Sequence, residues 1–415
     1  MNRAVERDFM LLKNSASAST NQPIDVFDTR YLRINKLLLS FIGLWPMQSN
    51  RNIIFVCCTI LGVLIITLPQ IAFLFIRLRD LNDFYEIFPT LMGSCIVTFK
   101  SLGLHWQIEK FKMLIQHVRH DWCSLMKHSD IWILMEYSEK SRMFTLVYLI
   151  FTNISVASFA TKPLIIQLFD FIFESNVTRP KRMPHPSEFL VDMEKYYYIL
   201  LTITLASYAV CVTIVNASDT IYVALLQHTC GILAILSYRL KKWEINDKSK
   251  CVDRNPVLRG NRDIENIVQC IQLQVRTERL IQLIESTFAI CLFSDFAFGM
   301  LFQCSSVVMM VSYTDVLKNC VFVLLQSTRF FFNSWIGQRL IDHNSQISTA
   351  IYNGMWYERS LKAKKMLLFL IMKCQKPCYI TVAKIYVICM ENYSTLMRTS
   401  ASYVTLMISL NSDDV

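Results

Sequence analysis

Asn52 to Ile76 reads NIIFVCCTILGVLIITLPQIAFLFI, 25 residues without one charged side chain. At about 1.5 Å per residue, a helix of that length exceeds the roughly 30 Å hydrocarbon core of a bilayer. The stretch therefore predicts a transmembrane helix, and the pattern recurs along the chain. Further apolar runs lie near 85–104, 143–169, 196–226, 286–311, 319–336 and 380–410, which makes seven spans. Lys100 interrupts the second and Arg329 the sixth, so six spans with one re-entrant or interfacial segment is the alternative. The composition agrees: 53% of the 415 residues are apolar and only 18% are charged, where a soluble domain carries about 25% charge. The expected fold class is an all-α membrane protein with no room for a further large soluble domain. The 14 cysteines are scattered, mostly in apolar stretches, so no disulfide scaffold is expected. Residues 1–36 are polar and offer no cleavable signal peptide.

Orientation follows from Lys and Arg, which are retained on the cytoplasmic side. With the N-terminus inside, the internal segments 1–51, 105–142, 227–285 and 337–379 hold 30 of the 42 basic residues, and the external segments hold 7. The N-terminus is thus expected in the cytosol and the C-terminus outside, opposite to a G-protein-coupled receptor. The net charge of +10 is then a topological signal and a contact with anionic inner-leaflet lipid, not a nucleic-acid interface.

The internal loops read as helices too. Ile264, Ile267, Val268, Ile271 and Val275 have the spacing of one helical face. Span four runs on past Leu226 through Ile232, Leu233, Leu236 and Leu240 towards the basic Arg239, Lys241 and Lys242. Such helical extensions suit subunit packing; lying on the lipid surface is the alternative. Asp295 falls within span five with no partner apparent in sequence.

The last span carries a polar stripe. Lys384, Glu391, Thr395, Arg398, Ser402, Thr405 and Ser409 recur in steps of 7, 4, 3, 4, 3 and 4, which on one helix fall within an arc of roughly 80°. A charged stripe inside a membrane is costly unless it faces protein or water. It is either buried against polar neighbours or lines an aqueous path shared by several subunits. Leu406 at the edge of the stripe and Leu410 one turn later could form an apolar constriction that gates by dewetting. Asp413 and Asp414 beyond them would make an acidic outer mouth if several copies surrounded an axis; a solvated tail is the simpler reading.

Several motifs together resemble the insect odorant receptors. Gly43-Leu44-Trp45-Pro46 precedes span one; Asp219, Leu225 and His228 stand at the base of span four. The densest match is Gly337 with Ser345, Tyr352 and Trp356, then Gln375-Lys376-Pro377, Ala383, and Ser400-Ala401-Ser402-Tyr403. The resemblance implies a seven-span odorant receptor that assembles with a shared olfactory co-receptor as a tetrameric, odorant-gated, non-selective cation channel. Such a channel acts in smell, in the plasma membrane of olfactory sensory neuron dendrites. It also implies a division of the chain: a cytosolic N-terminal segment over 1–51, six helices with an odorant pocket in their outer half over 52–336, a cytosolic anchor over 337–379, and the pore-lining seventh helix with a short tail over 380–415. The gate would be Leu406 and Leu410 with Ser409 between them. Volatile odorants would enter a pocket among spans two, three, four and six, for which Tyr85, Phe88, Met92, Phe159, Thr202, Tyr208 and Phe322 are the candidates, aromatic and Met side chains giving an adaptable apolar surface. Ordinary helix packing is the competing reading of each. Two positions depart from the family: Ser334 where many members have Cys, and Lys384 where a small residue is usual.

Other classes fit less well. No Ser/His/Asp grouping, phosphate loop or His-rich intramembrane cluster is present, so neither an enzyme nor a cofactor is expected. With 9 Gly, 10 Pro and no internal repeat, the broken helices of a secondary transporter are not evident. Gustatory receptors share the architecture and are the alternative, but Ser402-Tyr403-Val404-Thr405-Leu406 does not complete their Thr-Tyr-hydrophobic-hydrophobic-x-x-Phe ending. Asn176-Val177-Thr178 is a glycosylation sequon in the longest external loop.

Overall fold

The computed structural model describes residues 25–47, 52–76, 81–126, 128–172, 183–249, 256–311, 316–354 and 356–412. α1 (Arg33–Phe41) precedes α2 (Asn52–Ile76), which takes up the whole of the first apolar run. α3 (Leu81–Trp106), α4 (Ile108–Leu125), α5 (Ile131–Ala160) and α6 (Lys162–Ile172) follow. Two long helices come next, α7 (Met193–Ser249) of 57 residues and α8 (Pro256–Val311) of 56. The chain continues through α9 (Val316–Tyr352) and α10 (Leu361–Gln375) to α11 (Met390–Ser412). At about 1.5 Å per residue, α7 and α8 are far longer than a bilayer is thick, so each continues outside it, as the apolar spacing beyond Leu226 and around Ile267 predicts.

The outward faces show where lipid lies. α2 exposes Ile54, Leu61, Leu64, Leu68 and Phe75, and α5 exposes Met143, Val147, Ile150 and Ile154 at the spacing of one helical face. The interior meanwhile holds Thr145, Thr152, Asn216 and Thr220, with Thr152 donating to Asn216 Oδ1 at 2.7 Å. Large apolar faces turned outward around a hydrogen-bonded polar interior suit a hydrocarbon solvent, not water. Among the described residues, α2, α3, α5, α7 and α8 contain stretches long and apolar enough to cross a membrane. α9 carries Lys318 and Arg329, and α11 the polar stripe.

Away from these stretches, α1 and α4 pack with the far parts of α7 and α8 in a dense apolar region. Phe27 meets Trp45 edge-on at 5.1 Å, and Tyr31 stacks on Trp122 at 6.0 Å. Gly43 follows the end of α1 with φ 73°, the left-handed geometry in which glycine commonly closes a helix, and the turn it makes delivers Trp45 into this core.

Two elements differ from the sequence expectation. The third span, expected unbroken over 143–169, divides at Thr161 because Pro163 falls in the first turn of α6, where its missing N–H and fixed φ are tolerated. The last span, expected from 380, begins only at Met390. Residues 381–387 form a small antiparallel hairpin, β1 (Thr381–Val382) with β2 (Tyr386–Val387). The N–H of Ile388 also donates to the Ile380 carbonyl at 2.9 Å. Ala383 and Lys384, with φ of 52° and 59°, turn the chain in the left-handed region. Lys384 therefore belongs to the turn and not to the helical stripe. The short apolar run was ambiguous between strand and helix, and Glu285 favours the strand by accepting from the Thr381 N–H at 3.2 Å and from its hydroxyl. A Cβ on Gly337 of α9 would collide with the Ile388 carbonyl oxygen; only glycine lets the hairpin lie this close.

Candidate functional site

α2, α3, α5, α7, α8 and α9 surround a cavity of about 150 Å³, a size at which an apolar void holds a benzene-sized molecule. Its walls are mainly apolar: Val63 and Ile66, Val97, Phe159, Val212, Phe302 and Phe322. The aromatic side is close-packed, with Phe159 to Phe322 at 5.0 Å, Phe302 to Phe322 at 5.2 Å and Phe159 to Tyr208 at 5.6 Å. Polar groups enter from Gln70 on α2, Thr90 and Ser94 on α3, and Gln326 and Arg329 on α9.

Arg329 links the cavity to a buried charge cluster. Lys100 of α3, Asp219 of α7, Asp295 of α8 and Arg329 of α9 are all buried, Lys100 fully. Lys100 pairs with Asp219 and lies 2.8 Å from Asp295 Oδ2; Arg329 pairs with Asp295 and lies 3.4 Å from Asp219 Oδ2. Tyr148 of α5 donates to Asp219 Oδ2 at 2.6 Å. Two cations and two anions cancel, which is the condition under which charge survives in a low-dielectric interior. The cluster joins α3, α5, α7, α8 and α9 at one level. Gly299 faces the Gln326 amide nitrogen, which a Cβ there would displace.

A strap over 183–192 reaches the cavity wall at Tyr208. His185 is 2% exposed, and its Nδ1 lies 2.5 Å from the Tyr208 hydroxyl. The Glu188 N–H donates to the Pro69 carbonyl at 3.0 Å. Burial, reinforced by the positive charge of Lys318, pulls the His185 pKa down to about 4, so the imidazole is neutral at physiological pH.

α11 turns one face to its own chain. Leu396 and Ser400 are buried there, and Gln303 of α8 donates to Met397 Sδ at 3.7 Å. The opposite face, with Glu391, Thr395, Arg398, Ser402, Thr405 and Ser409, is exposed, as are Leu406 at its edge and Tyr403 further round the helix. Among the described residues, these stripe side chains are exposed.

The family model described as "7tm Odorant receptor" matches residues 80–401. The chain belongs to the 7tm odorant receptor family. Among its relatives, the receptor is 20% identical to odorant receptor 9a of Drosophila melanogaster, over 92% of its own length and 96% of that protein's. Odorant receptor Or2 of Anopheles gambiae is 22% identical over 72% and 77%. In fold, the receptor resembles the insect olfactory receptor OR5 from Machilis hrabei, solved in complex with eugenol, with a TM-score of 0.75 over 97% of this chain and 100% of that one at 12% identity. Like these relatives it is a membrane receptor, not an enzyme.

Of the residues expected at an odorant pocket, Phe159, Tyr208 and Phe322 line the cavity. Met92 lies in the same buried cluster and Phe88 packs against it. Tyr85 is half-buried against Phe84, outside the lining. Thr202 is exposed and donates to its own helix at the Tyr198 carbonyl; six residues before Tyr208, it points about 240° round the helix, away from the cavity. Asp219 joins the charge cluster. His228 is buried with Nε2 3.3 Å from Asp121 Oδ2, and Trp356 is exposed in a short 3₁₀ turn, Trp356–Glu358. Asn176, Asp413 and Asp414 and the Leu410 side chain lie outside the described residues. The sequence reading missed Gln70, Ser94 and Gln326 as cavity residues, although a glutamine inside an uncharged 25-residue run was a visible signal.

Proposed function

We propose that the receptor is the odorant-binding subunit of a tetrameric, odorant-gated, non-selective cation channel formed with the shared olfactory co-receptor. The observation that carries this reading is the two-faced α11: Leu396 and Ser400 are buried against the chain while the charged and hydroxylated stripe is exposed. In a bilayer such a stripe is stable only against water or further subunits, and a helix ringed around a shared aqueous path satisfies it. The same reading puts the N-terminus in the cytosol, following the distribution of basic residues, and makes residues 337–379 part of an anchor between subunits. The receptor then works in the plasma membrane of olfactory sensory neuron dendrites. A volatile ligand in the 150 Å³ cavity opens the channel to the extent that it binds the open state more tightly than the closed one.

Whole-cell current in cells expressing this chain with and without the co-receptor, across a panel of volatile compounds, tests the reading. Fast, G-protein-independent cation current is expected only when both chains are present. Silence despite surface expression of both, with current to soluble tastants from this chain alone, would move it to the gustatory branch.

The strap supplies a pH test. His185 has a folded pKa near 4 against an ordinary 6.5, so between these values the unfolded strap binds a proton that the seated one does not. Strap closure is therefore undiminished above about pH 6.5 and weakens as pH falls towards about 4. Odorant-evoked current is expected to fall when the outer solution is taken from about pH 7 to about pH 5. His185→Phe, which cannot titrate, should flatten that dependence; an equal fall in the variant would remove His185 from the explanation.

A further inference from the structure

We propose that Gln70 selects, among small apolar molecules that fit the cavity, those carrying one neutral hydrogen-bond-accepting oxygen, above all compact ketones, aldehydes and esters. The inference rests on the cavity being the ligand site. It comes from following each polar group on the wall to its partner.

The hydroxyls are engaged within the protein. Thr67 donates to the Val63 carbonyl at 3.1 Å, Thr90 to the Ile87 carbonyl at 2.8 Å, and Thr152 to Asn216 Oδ1 at 2.7 Å. Tyr208 is taken up by His185. Gln326 accepts from Arg329 Nη1 at 3.1 Å and donates to the Asp295 carbonyl at 3.4 Å. The rest of the Arg329 guanidinium is ion-paired with Asp219 and Asp295, its Nε lying 3.4 Å from Asp219 Oδ2 without a hydrogen bond. Gln70 differs. It is 1% exposed, Ser94 Oγ lies 2.7 Å from its Oε1 and 3.1 Å from the Thr90 carbonyl, and its Nε2 makes no hydrogen bond to a described residue. An amide donor on the wall of an apolar cavity with no acceptor from the protein is unfavourable, and an oxygen on a bound ligand relieves it. Among the described residues the wall offers no free cation, because Arg329 is paired with two carboxylates, so a neutral acceptor fits and an anionic ligand does not. The size of the cavity limits such a ligand to roughly six to ten heavy atoms, on the scale of a benzene-sized void.

The test is a set of isosteric pairs in which a carbonyl oxygen is replaced by a methylene group, such as cyclohexanone with methylenecyclohexane and acetophenone with α-methylstyrene. Each is applied to cells expressing the full chain with its co-receptor, and the half-maximal concentration for evoked current is compared within a pair. The ratio is independent of expression level. In the native receptor the carbonyl member is expected to be more potent by about tenfold, the scale of one hydrogen bond. Gln70→Leu and Gln70→Met should bring the ratio close to one, two substitutions guarding against a folding defect in either. Phe322→Ala, on the apolar wall, should weaken both members and keep their ratio. A preference that survives both Gln70 substitutions, no preference in the native receptor, or silence to every pair overturns the proposal. If Phe322→Ala and the Gln70 variants all leave both potencies unchanged while current persists, the cavity itself is not the ligand site.

Discussion

Asp295→Ala is expected to remove most of the receptor from the cell surface. Asp295 faces both Lys100 and Arg329, and its loss leaves two buried cations against the single carboxylate of Asp219. Breaking a buried pair from one side costs about 3–5 kcal/mol, because an uncompensated charge remains. That is a large share of the stability of an ordinary domain, roughly 5–15 kcal/mol. The decisive comparison is the charge-balanced double variant Lys100→Met with Asp295→Leu. It removes one cation and one anion that lie 2.8 Å apart and leaves Arg329 with Asp219. Surface biotinylation should recover part of the native signal in the double variant. Wild-type trafficking of Asp295→Ala alone would show that the four charges do not hold the bundle together.

Leu406→Ser is expected to raise ligand-free current by roughly an order of magnitude. Leu406 is 54% exposed at the edge of the polar face of α11, one turn after Ser402 and four residues before Leu410. An apolar ring in a narrow water-filled path closes by dewetting, and a hydroxyl there stabilises the wetted state. A shift of about 1.4 kcal/mol in the closed–open balance multiplies the minor state tenfold. The expected measurement is a standing cation current without odorant at unchanged surface expression. An unchanged baseline would remove Leu406 from the gate.

Much of the architecture could be read from the residues, and the exceptions have physical causes. The run from Asn52 to Ile76 became α2 without loss, since 25 uncharged apolar residues have no competing structure in a membrane protein. The charged residues inside spans could be seen individually but not paired. Lys100 looked like an interruption and Asp295 like an orphan because their partners stand on other helices, Asp219 119 residues from Lys100 and Arg329 34 residues from Asp295, and meet only when the helices pack. The stripe on α11 followed from its 3.6-residue period, yet Lys384 fell in phase with it by coincidence. Its backbone is decided by the hairpin contacts of Thr381 with Glu285 and of Ile388 with Gly337, which no periodicity reports. Thr202 shows the same limit in the pocket, where membership depends on the helical phase relative to neighbours. Gln70 was overlooked because the pocket was sought among spans two, three, four and six, while α2 supplies one wall.

The central claim is that the polar face of α11 lines an ion path, and substituted-cysteine accessibility tests it most directly. Thr395→Cys, Ser402→Cys and Thr405→Cys lie on the exposed face, and Leu396→Cys and Ser400→Cys on the face buried against the chain. A positively charged thiol reagent applied during odorant-evoked current, with the unsubstituted receptor as the control for its own cysteines, should block the first three and spare the last two. Block at Leu396 and Ser400 equal to that at the stripe, or no block at any position despite intact current, would contradict the account.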